Sequence, residues 1–182
     1  MRLFVAINFS EDVRALILKV QDQLRAQATK GSFSRPENFH LTLAFLGETA
    51  EEKLESLFNI IKEIQGDQGL SPSPFDIVFT RTGCFTHSRK ELWWIGSDAE
   101  NSGTLVLKAI QGRLVSRLEE EGFPVDKRPF NAHVTLAREV KHTGGIVLDC
   151  PAITIRVDRI SLMKSEHVRG ILTYTELMGR DL

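Results

Sequence analysis

Two histidines in this chain stand in matching company. His40 lies in Arg-Pro-Glu-Asn-Phe-His-Leu-Thr-Leu-Ala (residues 35–44) and His133 in Arg-Pro-Phe-Asn-Ala-His-Val-Thr-Leu-Ala (residues 128–137), and seven of the ten residues agree at a constant offset of 93. Unrelated windows of this length agree at fewer than about one position, so the chain reads as an internal duplication. Each copy sets His-x-Thr in a run of Leu, Val, Thr and Phe behind turn formers, which is a strand pattern. Side chains at i and i+2 of a strand share a face, so His40 stands beside Thr42 and His133 beside Thr135. An imidazole titrates near neutrality, and a pair can remove one proton while delivering another. Phosphodiester cleavage needs those two transfers. One neutral His would activate water or a hydroxyl, and the other, protonated, would supply the leaving oxygen. The two Thr hydroxyls would hold the non-bridging oxygens, and the imidazolium would stabilise the charge of the pentacoordinate transition state without a metal.

Either motif alone could be a half-buried strand histidine bonded to a backbone carbonyl; the repetition argues against that. Neither motif carries a second His, Cys or carboxylate at zinc-ligand spacing, so no metal and no cofactor are expected. His87, His142 and His167 lack comparable context and read as surface or loop residues. Cys84 and Cys150 lack metal or redox spacing and read as free thiols.

The elements that must position the motifs follow from periodicity. Residues 2–8 are apolar on both faces, as in a central strand. Ser10 is placed to cap a helix over residues 11–28, with Val13, Leu16, Ile17, Val20 and Leu24 at helical spacing. Residues 30–36 read as a loop feeding the first motif strand, which ends near Gly47. Thr49 and Glu52 have capping-box spacing ahead of a helix over residues 50–65, and residues 66–74 break the chain. Residues 75–82 and 92–96 read as strands around a mobile loop at 83–90, and a third helix starts at 101–103 and stops at Gly122 and Pro124. The second motif strand follows. After a polar loop at 141–145, Ile153, Ile155 and Val157 alternate while Ile160 and Leu162 have changed parity, which predicts a bulge near Asp158. Residues 171–178 return as a hairpin across 165–170. This order predicts an α+β fold of two pseudo-symmetric lobes in a single domain over residues 1–182, each lobe an antiparallel sheet with helices.

With 42% hydrophobic and 26% charged residues, composition is that of an ordinary globular protein. A formal charge of −1, from 23 Lys and Arg against 24 Asp and Glu, excludes a global positive field for long nucleic acid. No apolar run reaches membrane-spanning length and the opening seven residues are too short for a signal peptide, so a cytoplasmic protein with no membrane or protein partner, acting as a monomer, is expected.

The stretches from His40 to Glu48 and from Arg128 to Arg138 resemble the paired His-x-Thr motifs of the two-histidine phosphoesterases, and among them the RNA 2′,3′-cyclic phosphodiesterases of the 2′-5′ RNA ligase family. The likeness extends from the opening strand to the Gly170, Tyr174, Leu177 pattern. It implies an active site in the cleft between the lobes and metal-free opening of a terminal 2′,3′-cyclic phosphate on RNA to a 2′-phosphate, with joining or cleavage of 2′-5′ linkages in vitro. It implies His40 as proton donor, His133 as proton acceptor, and Thr42 and Thr135 as phosphate ligands. Phe45 and Arg138 match positions that contact the terminal nucleotide or phosphate. Strict alternation disagrees, placing both off the histidine face. Ala132 stands where related chains carry Pro. Either Trp93 or Trp94 could offer a face to a base. Two other readings stay open: a phosphodiesterase for small cyclic nucleotides or ADP-ribose cyclic phosphate, and a noncatalytic module that binds RNA ends.

Overall fold

A computed structural model describes residues 1–64, 72–88 and 90–182. Among the described residues nine strands form two antiparallel sheets, and three α-helices complete an α+β fold of two lobes. One sheet has the order β3-β1-β8-β9, built from β1 (Arg2–Asn8), β3 (His40–Glu48), β8 (Arg159–Val168) and β9 (Ile171–Asp181). The other has the order β2-β6-β5-β4-β7, from β2 (Lys30–Phe33), β4 (Phe75–His87), β5 (Lys90–Ser97), β6 (His133–Lys141) and β7 (Ile153–Val157). The helices are α1 (Glu11–Gln27), α2 (Leu54–Lys62) and α3 (Ser102–Glu120). One face of each sheet and the apolar stripes of all three helices meet in a continuous core.

Helix α1 begins where its sequence says. Ser10 Oγ accepts from the Val13 amide, and Glu11 and Asp12 face the positive end of the helix dipole. Ile17, Val20 and Leu24 are fully buried, each stabilising the fold by about 1.5–3 kcal/mol. Leu16 is exposed, and Gln21, which an apolar pattern passes over, is buried on the same stripe. Helix α3 is capped by Asn101, whose side chain accepts from the amides of Gly103 and Thr104.

Several local expectations are corrected. Residues 30–33 form the edge strand β2, too short for alternation to reveal. Thr49 makes no capping box: its hydroxyl donates back to the Gly47 carbonyl, and a 3-10 turn (Glu51–Lys53) precedes a shorter α2. Gln65 and residues 66–71 lie outside the described residues. Most of the expected mobile loop at 83–90 is instead paired strand, with Gly83 opposite Trp94 and His87 opposite Lys90; residue 89 lies outside the described residues. Gly83 serves close approach: a Cβ there would sit 2.3 Å from the Trp94 ring.

The parity change near Asp158 is no bulge. Val157 ends β7 in one sheet and Arg159 begins β8 in the other, so the chain crosses between lobes at Asp158. The final hairpin is tighter than expected, turning at Arg169 and Gly170, both with positive φ.

Candidate active site

The two motif strands are paired in the same way. His40 lies opposite Asn8, Thr42 opposite Ala6 and Ala44 opposite Val5; His133 lies opposite Gly96, Thr135 opposite Trp94 and Ala137 opposite Trp93. Each strand therefore carries one extra residue after its threonine, Leu43 in β3 and Leu136 in β6. These are β-bulges at equivalent positions. Their consequence is a change of face. Leu43 and Ala44 are both buried, as are Leu136 and Ala137, and the next residues, Phe45 and Arg138, return to the histidine side. Phe45 pairs with Phe4 and Arg138 with Leu92, in phase with the threonines on the partner strands. The prediction from strict alternation is thereby overturned for both residues.

His40, Thr42, His133, Thr135 and Arg138 line one cleft of about 290 Å³ between the sheets. Ser32, Ser34, Arg35, Asn38, Leu172 and Tyr174 complete much of its wall, which among the described residues has two arginines and no carboxylate. Phe45 is not in that wall. It sits farther along the face, 48% exposed, with the Arg2 guanidinium 5.2 Å from its ring centre.

Both imidazoles are held alike. Nδ1 of His40 donates to the Asn38 carbonyl at 2.8 Å, and Nδ1 of His133 donates to the Asn131 carbonyl at 2.8 Å. A carbonyl can only accept, so each neutral ring carries its proton on Nδ1 and leaves Nε2 as a lone pair. Each ring also rests against two aromatics. His40 lies 4.7 Å from Phe4 and 5.1 Å from Tyr174, and His133 lies 5.4 Å from Phe85 and 6.1 Å from Trp94. Burial pushes both pKa values below the ordinary imidazole value. The Asn38 and Asn131 carbonyls oppose that, and the Arg138 guanidinium adds to it, as does His133 acting on His40. An anion in the cleft would reverse the electrostatic part. Gly96 lets β6 start this close to β5: a Cβ there would lie 2.4 Å from the Ala132 carbonyl, which accepts from the Ser97 amide.

Of the two tryptophans, Trp94 is on the His133 face, and Trp93 packs on the opposite face against the core. His87 and His167 are exposed as expected, whereas His142 is held by Glu91 at 3.1 Å beside Trp93. Cys84 and Cys150 are free. Among the described residues no three His, Cys, Asp or Glu side chains gather as a metal site, and no helix is long and apolar enough to cross a membrane.

Motif reading alone missed four contributors. Asn38 and Asn131 were visible as repeated letters, but nothing marked their carbonyls as the histidine holders. Arg35 lines the cleft while its repeat partner Arg128 turns out to Asp126, so the symmetry is broken there. Tyr174 comes from β9, far from either motif, and reaches His40 only through the sheet order.

Two antiparallel lobes enclosing an anion-attracting cleft with one imidazole from each define a two-lobed phosphoesterase. Residues 7–94 and 100–173 match the LigT like Phosphoesterase family, and the chain belongs to it. It is 27% identical to the RNA 2′,3′-cyclic phosphodiesterase of Methanothermobacter thermautotrophicus, covering 97% of this chain and 96% of that protein. It is 32% identical to the protein of the same name from Archaeoglobus fulgidus, covering 76% of this chain and 72% of that one. The crystal structure of E. coli LigT complexed with 3′-AMP superposes with a TM-score of 0.82 at 27% identity, covering 100% of this chain and 97% of that one.

Proposed function

We propose that the protein hydrolyses the 2′,3′-cyclic phosphate at an RNA end to a 2′-phosphomonoester, without a metal, by acid–base catalysis from His40 and His133. The observation that carries this reading is the pair of imidazoles, each with Nδ1 tied to a backbone carbonyl, in one cleft with Thr42, Thr135 and Arg138. The names of the family relatives support the substrate. In the reaction His133 Nε2 takes a proton from water as the P–O bond forms. The bond from phosphorus to the 3′ oxygen breaks, and His40, protonated, gives that oxygen its proton. Thr42, Thr135 and Arg138 stabilise the charge on the non-bridging oxygens. The matching registers around His40 and His133 support our reading of one domain built by duplication.

The test uses a defined oligonucleotide ending in a 2′,3′-cyclic phosphate, with the free nucleoside cyclic phosphate alongside, in the presence of chelator. A 2′-phosphate product formed preferentially from the oligonucleotide supports the reading. Preference for the free nucleotide would shift the substrate to small cyclic phosphates, and binding without turnover would leave an RNA-end-binding module.

A further inference from the structure

The bulges that bring Arg138 and Phe45 to the cleft face have a common support. Gln21 of α1 is fully buried, and its Nε2 lies 2.7 Å from the carbonyl of Leu136 and 2.7 Å from that of Ser34. Both neighbours are acceptors only, so the amide nitrogen must occupy this position. Leu136 is the extra residue of the β6 bulge, and Ser34 lies in the segment lining the cleft wall beside β6. Gln111 of α3 does the equivalent elsewhere, its Nε2 donating to the carbonyl of Leu43, the extra residue of the β3 bulge, at 3.2 Å.

The exchange is reciprocal. Gln21 precedes the first motif in the chain and holds the second motif's bulge; Gln111 precedes the second motif and holds the first motif's bulge. We propose that Gln21 and Gln111 are positioning residues for the cleft. Each clamps the carbonyl of a bulge contributed by the opposite half, and so fixes the change of face that delivers Arg138, or Phe45, to the side of the histidines. An aliphatic stripe on α1 needs no amide at position 21. Burying one there with its Oε1 unpartnered carries a cost that a purely structural Leu or Met would avoid.

The proposal rests on the reading of Arg138 as a phosphate ligand, and its test is read on inorganic phosphate affinity, measured by calorimetry, rather than on turnover alone. Gln21→Met keeps the volume and removes the donor. We expect about tenfold weaker phosphate binding in Gln21→Met and no further loss when it is combined with Arg138→Ala, because both remove the same contact. Equal loss in the presence and absence of Arg138 would overturn the proposal, as would wild-type affinity accompanied only by a lower Tm. Should Gln21→Met not fold, the more exposed Gln111→Met decides. Its loss of affinity for adenosine 3′-phosphate should vanish in a Phe45→Ala background, and additivity there sinks the idea. If these couplings hold while the wild-type protein turns over no cyclic phosphate, the functional reading fails and the positioning role stands.

Discussion

The carbonyl of Asn131 accepts the Nδ1 proton of His133 at 2.8 Å, the same distance and the same two-residue reach by which Asn38 holds His40. Both rings are thus committed to one tautomer before any ligand arrives, with Nε2 free to take or give a proton. Under the proposed mechanism, such symmetric holding leaves the substrate, not the ring tether, to decide which imidazole is acid and which is base.

Replacing either His40 or His133 by Ala is expected to lower kcat/KM on a cyclic-phosphate-ended oligonucleotide by about 10²–10⁴-fold. The measurement is single-turnover hydrolysis with product analysis. Full activity in either variant would remove that residue, and with it the two-histidine mechanism.

The free protein should show both imidazoles titrating below about 6.5, because burial disfavours the charged form. Between the depressed folded values and the unfolded value the unfolded chain binds more protons. Stability from this source is therefore present above about pH 6.5 and lost as pH falls through the folded values. Phosphate in the cleft pairs with the imidazolium, so it should raise both values and protect the fold at acid pH. Proton NMR of the two rings, with and without phosphate, checks this; values unchanged by phosphate would place the anion elsewhere.

Arg138→Lys should cost about 10- to 100-fold in phosphate affinity, since a point charge does not reproduce the guanidinium fork. Its histidine readout moves in the opposite sense to ligand removal: Arg138→Ala should raise the pKa of both rings by deleting a nearby positive charge. Unchanged ring titrations in that variant would contradict the placement of Arg138.

Gly96→Ala should destabilise the fold by about 1–3 kcal/mol in urea unfolding, because the new methyl meets the Ala132 carbonyl, a backbone atom that cannot rotate away. The same substitution at Gly112, where a Cβ meets nothing within 4 Å, should be neutral or stabilising, since a helix interior favours Ala over Gly. Equal responses at the two sites would show that the β5–β6 approach is not as tight as the geometry states.

The local letters determined a great deal. Ser10 and Asn101 start helices where capping residues should, the apolar stripes of α1 and α3 are buried, and the repeated His-x-Thr puts each Thr on its His face because a two-residue step needs no tertiary help. What they could not determine was anything set by pairing with a distant strand. Alternation sent Phe45 and Arg138 to the wrong face because a bulge is a mismatch between two strands, and its support comes from Gln21 and Gln111 on helices far along the chain. Tyr174 meets His40 only because β8 and β9 join β1, after the chain changes sheets at Asp158. Short-range periodicity is written residue by residue; which carbonyl a distant side chain reaches is decided only when the two halves pack together.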